Sequence, residues 1–221
     1  MDLLLIILII TIPLIAQGYI SISYRNNLNK ISSKNLTGYD VAREILDANG
    51  LNDMVIIETK GTLSDHYDPA RKVVRLSKDI YEKNTLASIA VAAHECGHAI
   101  QDKEGYFFLK FRSSIFPIVS FLSRISYFVI FLGFLLEAMD LVWIGIFAVG
   151  AGVLFQIITL PVEINASTRA LKQLETLGLV NSSDMDGAKN MLSAAALTYV
   201  AGALAEILQL LRLIGIASDR N

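Results

Sequence analysis

Residues 85–101 read TLASIAVAAHECGHAIQ, and this stretch has the pattern of a single buried helix. Thr85 stands where an N-cap residue is favoured, and Gly105 stands where a helix commonly ends. The residues between Thr85 and His94 are almost all apolar, so the helix is expected to pack among other elements. Polar side chains inside such a helix cost free energy unless they are paired or bind a ligand. The polar cluster that begins at His94 is therefore the first candidate for a functional site.

Residues 94–98 form an H-E-x-x-H pattern, which is typical of a zinc site. Two histidines four residues apart lie on one face of a helix, so His94 and His98 can reach one tetrahedral ion. Zinc polarises a carbonyl group and lowers the pKa of its bound water to about 7. Glu95 is offset toward the open coordination position and can accept the proton of that water as a general base. The alternative is a pair of ordinary histidines that pack locally on a helix face.

A catalytic zinc ion usually has three protein ligands, and three residues are candidates for the third. His66 is the remaining imidazole of the chain. Glu104 stands where some metalloproteases keep their third ligand, but those proteins need a glycine three residues after the second histidine to turn the chain. Here that position is Gln101, which favours a continued helix. Glu163 is the other candidate, because it begins a polar segment just after a long apolar stretch.

The composition places part of the chain in a lipid bilayer, since 53% of the residues are hydrophobic and 18% are charged. The apolar run from Leu3 to Ile20 can cross a core of about 30 Å at about 1.5 Å per residue. No basic residue precedes it, which favours an uncleaved anchor over a signal peptide. Residues 115–136 and 141–160 predict a transmembrane hairpin. The last apolar helix, near residues 184–216, is either a fourth span or a helix packed on the catalytic part.

These patterns predict an α+β membrane protein that is mainly helical, with a zincin-like catalytic part containing a small β-sheet. The predicted divisions are a transmembrane anchor at 1–20 and a cytoplasmic catalytic part at 21–114. They continue with the transmembrane hairpin at 115–160 and with the remaining helices at 161–221. A new helix is expected to start just after Pro161.

The part of the chain with ordinary soluble composition begins with a Ser- and Asn-rich linker. Thr37 has the spacing of a capping box and predicts a short amphipathic helix. Residues 54–59 and 72–76 are rich in β-branched side chains and predict strands of a hairpin or small sheet. Residues 65–69, which include Asp and Pro, predict a turn between them. The second strand is also a candidate edge strand that pairs with an extended substrate.

His66 and Tyr67 lie in this predicted turn and have two interpretations. In the first, the segment is simply a turn held by its Asp and Pro residues. In the second, His66 or Tyr67 donates a hydrogen bond to the oxyanion that forms at the scissile carbonyl. His66 is therefore a candidate catalytic residue.

The charge distribution excludes a nucleic-acid partner and predicts an orientation. The formal net charge is −2, and no stretch concentrates Lys and Arg enough to neutralise a phosphate backbone. The basic residues near the predicted span ends are Arg25, Lys30, Lys34, Lys110, Arg112, Arg169 and Lys172. Because basic residues favour the cytoplasmic side, the catalytic part is expected to face the cytoplasm. The single cysteine, Cys96, is expected to be a small buried residue that faces away from the metal.

Three separated segments resemble the YugP-type neutral zinc metallopeptidases. They read HECGHAIQ at 94–101, SDHYDP at 64–69 and LPVEINAS at 160–167. More distantly, the chain is similar to HtpX and the CAAX prenyl proteases, in which a membrane hairpin separates the H-E-x-x-H helix from a later glutamate ligand. The resemblance implies peptide-bond hydrolysis of a protein or peptide substrate by a gluzincin with Glu163 as the third Zn²⁺ ligand.

In the distant group an aspartate four residues after that glutamate supports the site. The corresponding residue here is Ser167, so Asn165 and Ser167 are the candidate replacements. Two other functions remain as alternatives to a metallopeptidase. One is a catalytically inert membrane scaffold that binds zinc, and the other is a transporter component that uses Arg124 and Glu206 within the membrane.

Overall fold

The computed structural model describes residues 2–220 and shows a mainly helical membrane protein with one small sheet, as predicted. Its first elements are α1 (Asp2–Leu28), α2 (Gly38–Ala48), β1 (Val55–Thr59), β2 (His66–Asp68), β3 (Val73–Ser77) and α3 (Lys78–Glu82). They are followed by α4 (Leu86–Lys103), α5 (Phe107–Leu135), α6 (Met139–Thr176) and α7 (Ser182–Ser218). Helices α1, α5, α6 and α7 are long and apolar enough to cross a membrane.

The chain divides into two compact units. The first unit contains residues 1–17, 107–161 and 197–221, and the second contains residues 18–106 and 162–196. The second unit holds the sheet and α2 to α4, together with the end of α1, the second part of α6 and the start of α7. The four-part division predicted from the sequence stays a prediction.

Local sequence signals explain how the helices of the second unit begin. Thr37 caps α2 through a complete capping box with Asp40, as its spacing predicted. Thr85 caps α4, and its hydroxyl oxygen accepts a hydrogen bond from the amide of Ser88 at 3.3 Å. Gly105 follows α4 with a φ of 68°, a left-handed conformation that glycine adopts without steric cost. The apolar core packs on these helices and includes Val41, Ile45, Val74, Leu76, Ile80, Ile89, Leu174 and Met191.

The sheet differs from the prediction in two respects. Its strand order is β1-β3-β2, with β1 parallel and β2 antiparallel to β3. The predicted turn at 65–69 is wrong for residues 66–68, which form β2 because their backbone pairs with β3. The predicted edge position of residues 72–77 is also wrong, because β3 is the central strand. The edge strands of this sheet are therefore β1 and β2.

Two helices extend further than their apolar patterns indicated. Helix α1 continues to Leu28, into the segment predicted as a linker. Helix α6 passes through Pro161 without a break, so the expected new helix after this proline is wrong. Proline removes one backbone donor, but helices in apolar surroundings tolerate this loss when neighbours and local adjustments satisfy the freed groups. Glu163 therefore lies inside a long helix.

The first unit is built from closely packed apolar helices. A Cβ atom at Gly145 would lie 2.9 Å from the Ser126 carbonyl oxygen, so the missing side chain lets α5 and α6 approach closely. Glu206 on α7 accepts a hydrogen bond from the Gln156 side chain on α6 at 3.1 Å. Arg124 is exposed on α5. The structure thus gives Glu206 an amide partner.

Candidate metal centre

The two histidines of the pattern lie one turn apart on the same face of α4. Their ring centroids are 4.8 Å apart. The His98 residue is 8% exposed and the His94 side chain 12%, so both imidazoles are largely shielded from water. This placement follows from the 3.6-residue period of the helix.

Glu163 meets both histidines from α6. Its Oε2 atom lies 3.3 Å from the Nε2 atom of His94 and 3.4 Å from the Nε2 atom of His98. Two zinc–donor bonds of about 2.0–2.1 Å at the tetrahedral angle place their donor atoms about 3.3–3.4 Å apart. The spacing of these donors therefore fits one zinc ion. Within residues 2–220, these three residues are the His, Cys, Asp or Glu cluster with metal-ligand spacing.

Gly97 lets helix α6 approach α4 closely. A Cβ atom at this position would lie 2.5 Å from the Ala166 carbonyl oxygen, which is shorter than any ordinary contact. Any side chain here would therefore push the backbone of α6 away. The glycine inside the motif thus determines how near Glu163 can come to the imidazoles.

The second ring nitrogen of each histidine has its own partner. The Nδ1 atom of His94 lies 3.1 Å from the Ser167 hydroxyl, and the Nδ1 atom of His98 lies 3.0 Å from the Gln101 side-chain oxygen. Such outer contacts fix ring orientation and leave the other nitrogen for a metal. Ser167 was a predicted replacement for the aspartate of the distant group. Asn165, the other predicted replacement, contacts Gln101.

Glu95 is buried next to these three residues, but its carboxylate contacts a different element. It is 6% exposed, and its Oε2 atom accepts a hydrogen bond from the backbone amide of Tyr67 at 2.9 Å. Burial raises the pKa of the Glu95 carboxyl above its ordinary value, and the nearby His94 and His98 oppose this rise. A raised carboxyl pKa suits a group that must accept and return a proton.

Tyr67 contacts α4 at a second point, two turns beyond Glu95. Its phenolic hydroxyl donates to the Asp102 carboxylate at 2.6 Å, and the Lys72 ammonium forms an ion pair with the same carboxylate. Burial and the Asp102 charge raise the pKa of the Tyr67 phenol, so it stays protonated. Strand β2 is thus fastened to α4 by a backbone bond and a side-chain bond.

The remaining observations on the motif concern the pKa of His98 and the orientation of Cys96. Burial lowers the pKa of His98, but its contact with Glu163 and the charge of Glu95 outweigh this effect, and the net pKa is raised. Cys96 is fully buried, and its thiol donates to the Ala42 carbonyl oxygen on α2 at 3.6 Å. It therefore faces away from the histidines, as predicted.

The structure brings together four of the five predicted site residues. His94, His98 and Glu163 converge, and Glu95 lies beside them on the same helix. His66 is exposed, with its Nδ1 atom 2.8 Å from the Ser64 carbonyl oxygen. Glu104, the alternative ligand, pairs instead with Arg169 at 2.7 Å.

Sequence reasoning missed three contributors to this site: Gln101, Asp102 and the Tyr67 backbone amide. One signal for Gln101 was available. It lies seven residues after His94, and the i, i+4 and i+7 positions share one helix face. A fully buried glutamine on the ligand face of a helix is expected to hydrogen-bond something specific.

The fold and the site together define a mainly helical membrane protein with a His-His-Glu cluster that is positioned to bind a metal ion. More specifically, the chain belongs to the family described as "Putative neutral zinc metallopeptidase", whose model matches residues 2–218. Zinc is accordingly the metal that this donor set fits.

A curated relative is the "Putative membrane protease YugP" of Bacillus subtilis (strain 168). It is 45% identical over 194 residues, which is 86% of this chain and 86% of the relative. No solved structure matches the chain significantly. The family and this relative support a protease role for a membrane protein that uses zinc.

Proposed function

We propose that this protein is a membrane-embedded zinc metalloendopeptidase that hydrolyses peptide bonds, with Glu95 as general base. The observation that carries this proposal is the convergence of His94, His98 and Glu163 beside the buried Glu95 carboxylate. Two imidazoles and one carboxylate leave a fourth coordination position open, as catalytic zinc sites require. When bound, zinc would polarise the scissile carbonyl and the attacking water.

Residues of the chain then transfer the proton and hold the reacting groups in position. Glu95 accepts the proton of the attacking water and delivers it to the leaving amine. The Tyr67 amide holds Glu95 in one orientation through its 2.9 Å hydrogen bond. Ser167 and Gln101 keep the two imidazoles turned toward the metal.

His66 is proposed to stabilise the oxyanion at the scissile carbonyl. Its Nδ1 atom is placed to donate to the Ser64 carbonyl oxygen, so only the protonated imidazole has a second N–H to offer. Its position next to Tyr67 puts it on the strand that contacts Glu95. His66→Gln should lower turnover while zinc binding is kept, and an unchanged turnover would remove His66 from the mechanism.

The decisive experiment compares wild type with Glu95→Gln, using the full chain in detergent and casein as an unfolded test substrate. Wild type should cleave, and the variant should lose cleavage while it retains zinc, because a neutral side-chain amide cannot accept the proton. Glu44→Gln is the matched control, since Glu44 is an exposed carboxylate on α2. Equal inertness of wild type and Glu95→Gln on a broad panel of proteins, with zinc bound, would favour an inert scaffold. A wild type without zinc would favour the transporter alternative.

We also propose that the site faces the cytoplasm, on the basis of the basic residues near the span ends. The test uses single cysteines at Lys60, in the exposed segment after β1, and at Asp140, at the start of α6. In intact cells an impermeant thiol reagent should label position 140 but not position 60. The reverse labelling would invert the topology without affecting the proposed chemistry.

A further inference from the structure

Gln101 is a fully buried polar side chain that contacts both helices of the metal centre. Its oxygen lies 3.0 Å from the Nδ1 atom of His98 on its own helix. Its amide nitrogen donates to the Val162 carbonyl oxygen at 2.8 Å and to the Asn165 side-chain oxygen at 2.9 Å, both on α6. Val162 immediately precedes Glu163. One side chain therefore connects a histidine of α4 with the backbone that carries the glutamate.

A chain of hydrogen bonds joins Arg169, Asn165, Gln101 and His98. The donor and the acceptor of each bond follow from Arg169, at the outer end of this chain. Arg169 has only donors, so the Asn165 atom that its Nε approaches at 2.7 Å must be the oxygen. The Gln101 atom that approaches the same oxygen must then be the amide nitrogen, and the Val162 carbonyl requires the same assignment. The Gln101 oxygen consequently faces His98.

The orientation of the Gln101 side-chain amide determines the tautomer of the His98 ring. Because the Gln101 oxygen can only accept, the Nδ1 atom of His98 carries a hydrogen and donates it. The Nε2 atom is then the nitrogen available to a metal, and it is the one that lies 3.4 Å from Glu163. His94 is held differently, because the Ser167 hydroxyl can accept or donate and does not impose one tautomer.

We propose that Gln101 is the positioning residue of the metal centre, which fixes the tautomer of His98 and the position of Glu163 relative to it. The Arg169 guanidinium, paired with Glu104, holds Asn165 and thereby orients Gln101. The chain Glu104–Arg169–Asn165–Gln101–His98 runs from an exposed carboxylate to a buried ligand. This proposal rests on His98 and Glu163 as ligands of the proposed enzyme and adds what prepares them for zinc.

The test measures zinc affinity by competition with a chromogenic chelator, using the purified full chain and Zn²⁺ alone. Gln101→Met has a similar volume but no hydrogen-bonding group, and it should weaken zinc binding about 10–100-fold, as loss of an outer partner does. Gln101→Glu retains an acceptor for the His98 N–H but loses the donors to α6. Its affinity should lie between those of wild type and Gln101→Met.

The matched control is Gln173→Leu. The Gln173 side chain accepts a hydrogen bond from Asn49, the C-cap residue of α2, at 3.1 Å, so it also links α6 to another element, but away from the metal. This variant should lose some thermal stability and keep wild-type zinc affinity. The unfolding temperature of each metal-free variant is measured in parallel, which separates positioning from general stability.

Three outcomes distinguish the possibilities. Wild-type affinity in Gln101→Met would overturn the proposal, provided that His98→Ala loses zinc. The proposal would also be overturned if zinc affinity fell in proportion to the unfolding temperature in all the variants, including Gln173→Leu. Zinc binding that persists in His98→Ala would instead refute the ligand set itself, and the proposed function with it. The proposal is supported when Gln101→Glu binds zinc better than Gln101→Met without being more stable.

Discussion

The two functional faces of α4 are held by different elements. The imidazole face, with His94 and His98, is held by α6 through Glu163 and through the contacts of Ser167 and Gln101. The carboxylate face, with Glu95, is held by β2 through Tyr67. Around the helix axis Glu95 lies about 100° from His94 and about 60° from His98, because successive residues of a helix are separated by about 100°.

This separation implies that the proposed metal binding and the proposed proton transfer can be damaged independently. A change at the α6 contact should disturb the ligands and leave the base in place. A change at the β2 contact should disturb the base and leave the ligands in place. Helix α2 packs against α4 at Cys96 and provides a third contact, which serves neither role.

The largest effect is expected from Gly97→Ala, which acts on the imidazole face. Its new Cβ would lie 2.5 Å from the Ala166 carbonyl, so α6 must move away and carry Glu163 with it. A displacement of about 1 Å costs turnover about 100-fold, and zinc affinity should fall in the same variant. The Tyr67 contact with Glu95 should remain. The measurements are chelator competition and casein cleavage.

The control for this variant is Gly202→Ala on α7, where no heavy atom would lie within 4 Å of the new Cβ. Alanine in a helix interior is favoured over glycine by about 1 kcal/mol, so the control should be neutral or stabilised. Gly97→Ala should be destabilised despite the same intrinsic preference. Retention of zinc affinity in Gly97→Ala would show that the close approach of α6 does not position Glu163.

The sequence predicted the elements that depend on local interactions. The caps at Thr37 and Thr85 and the helix end at Gly105 involve residues only a few positions apart, and the structure has all three. The two histidines share a face for the same reason. These features required no knowledge of the rest of the chain, since helix geometry alone relates residues three or four apart.

The features that were missed depend on distant residues. Strand β2 has only three residues and forms because β3 and Glu95 satisfy its backbone. Helix α6 continues through Pro161 because its surroundings compensate for the lost donor. Gln101 finds its partners 61 and 64 positions away. Pattern and propensity carry no information about such pairings. The residues alone left His66, Glu104 and Glu163 as candidates for the third ligand, and the family resemblance favoured Glu163.

A smaller effect is expected from Tyr67→Phe, which acts on the carboxylate face. The variant removes the bond from the phenol to Asp102 and leaves the backbone amide beside Glu95 less firmly held. The kcat for casein cleavage should fall about tenfold, equivalent to about 1.4 kcal/mol, with KM and zinc affinity unchanged.

Tyr39→Phe is the control for this change, because Tyr39 packs against Tyr81 at a ring distance of 5.0 Å on another part of the unit. It should leave kcat unchanged. If Tyr67→Phe released zinc, the two faces of α4 would be coupled. The imidazole face and the carboxylate face could then not be disturbed separately, even though each face has its own contacts.

The smallest effect is expected from Thr37→Ala, which acts on the α2 contact. The Thr37 hydroxyl accepts a hydrogen bond from the Asp40 amide at 3.1 Å, and the Asp40 carboxylate accepts one from the Thr37 amide at 2.9 Å. Loss of such a cap costs about 1 kcal/mol of stability. In a domain of this size that corresponds to a lowering of the unfolding temperature by about 2–4 °C.

The control for the cap is Thr37→Ser, which keeps the hydroxyl and should restore most of the lost stability. Zinc affinity and kcat per folded molecule should match wild type in both variants, because the hydrogen bond between α2 and α4 lies at Cys96, which faces away from the histidines. A loss of either quantity in Thr37→Ala would mean that the stability of α2 is transmitted to the site, and that α4 is positioned by all three of its contacts together.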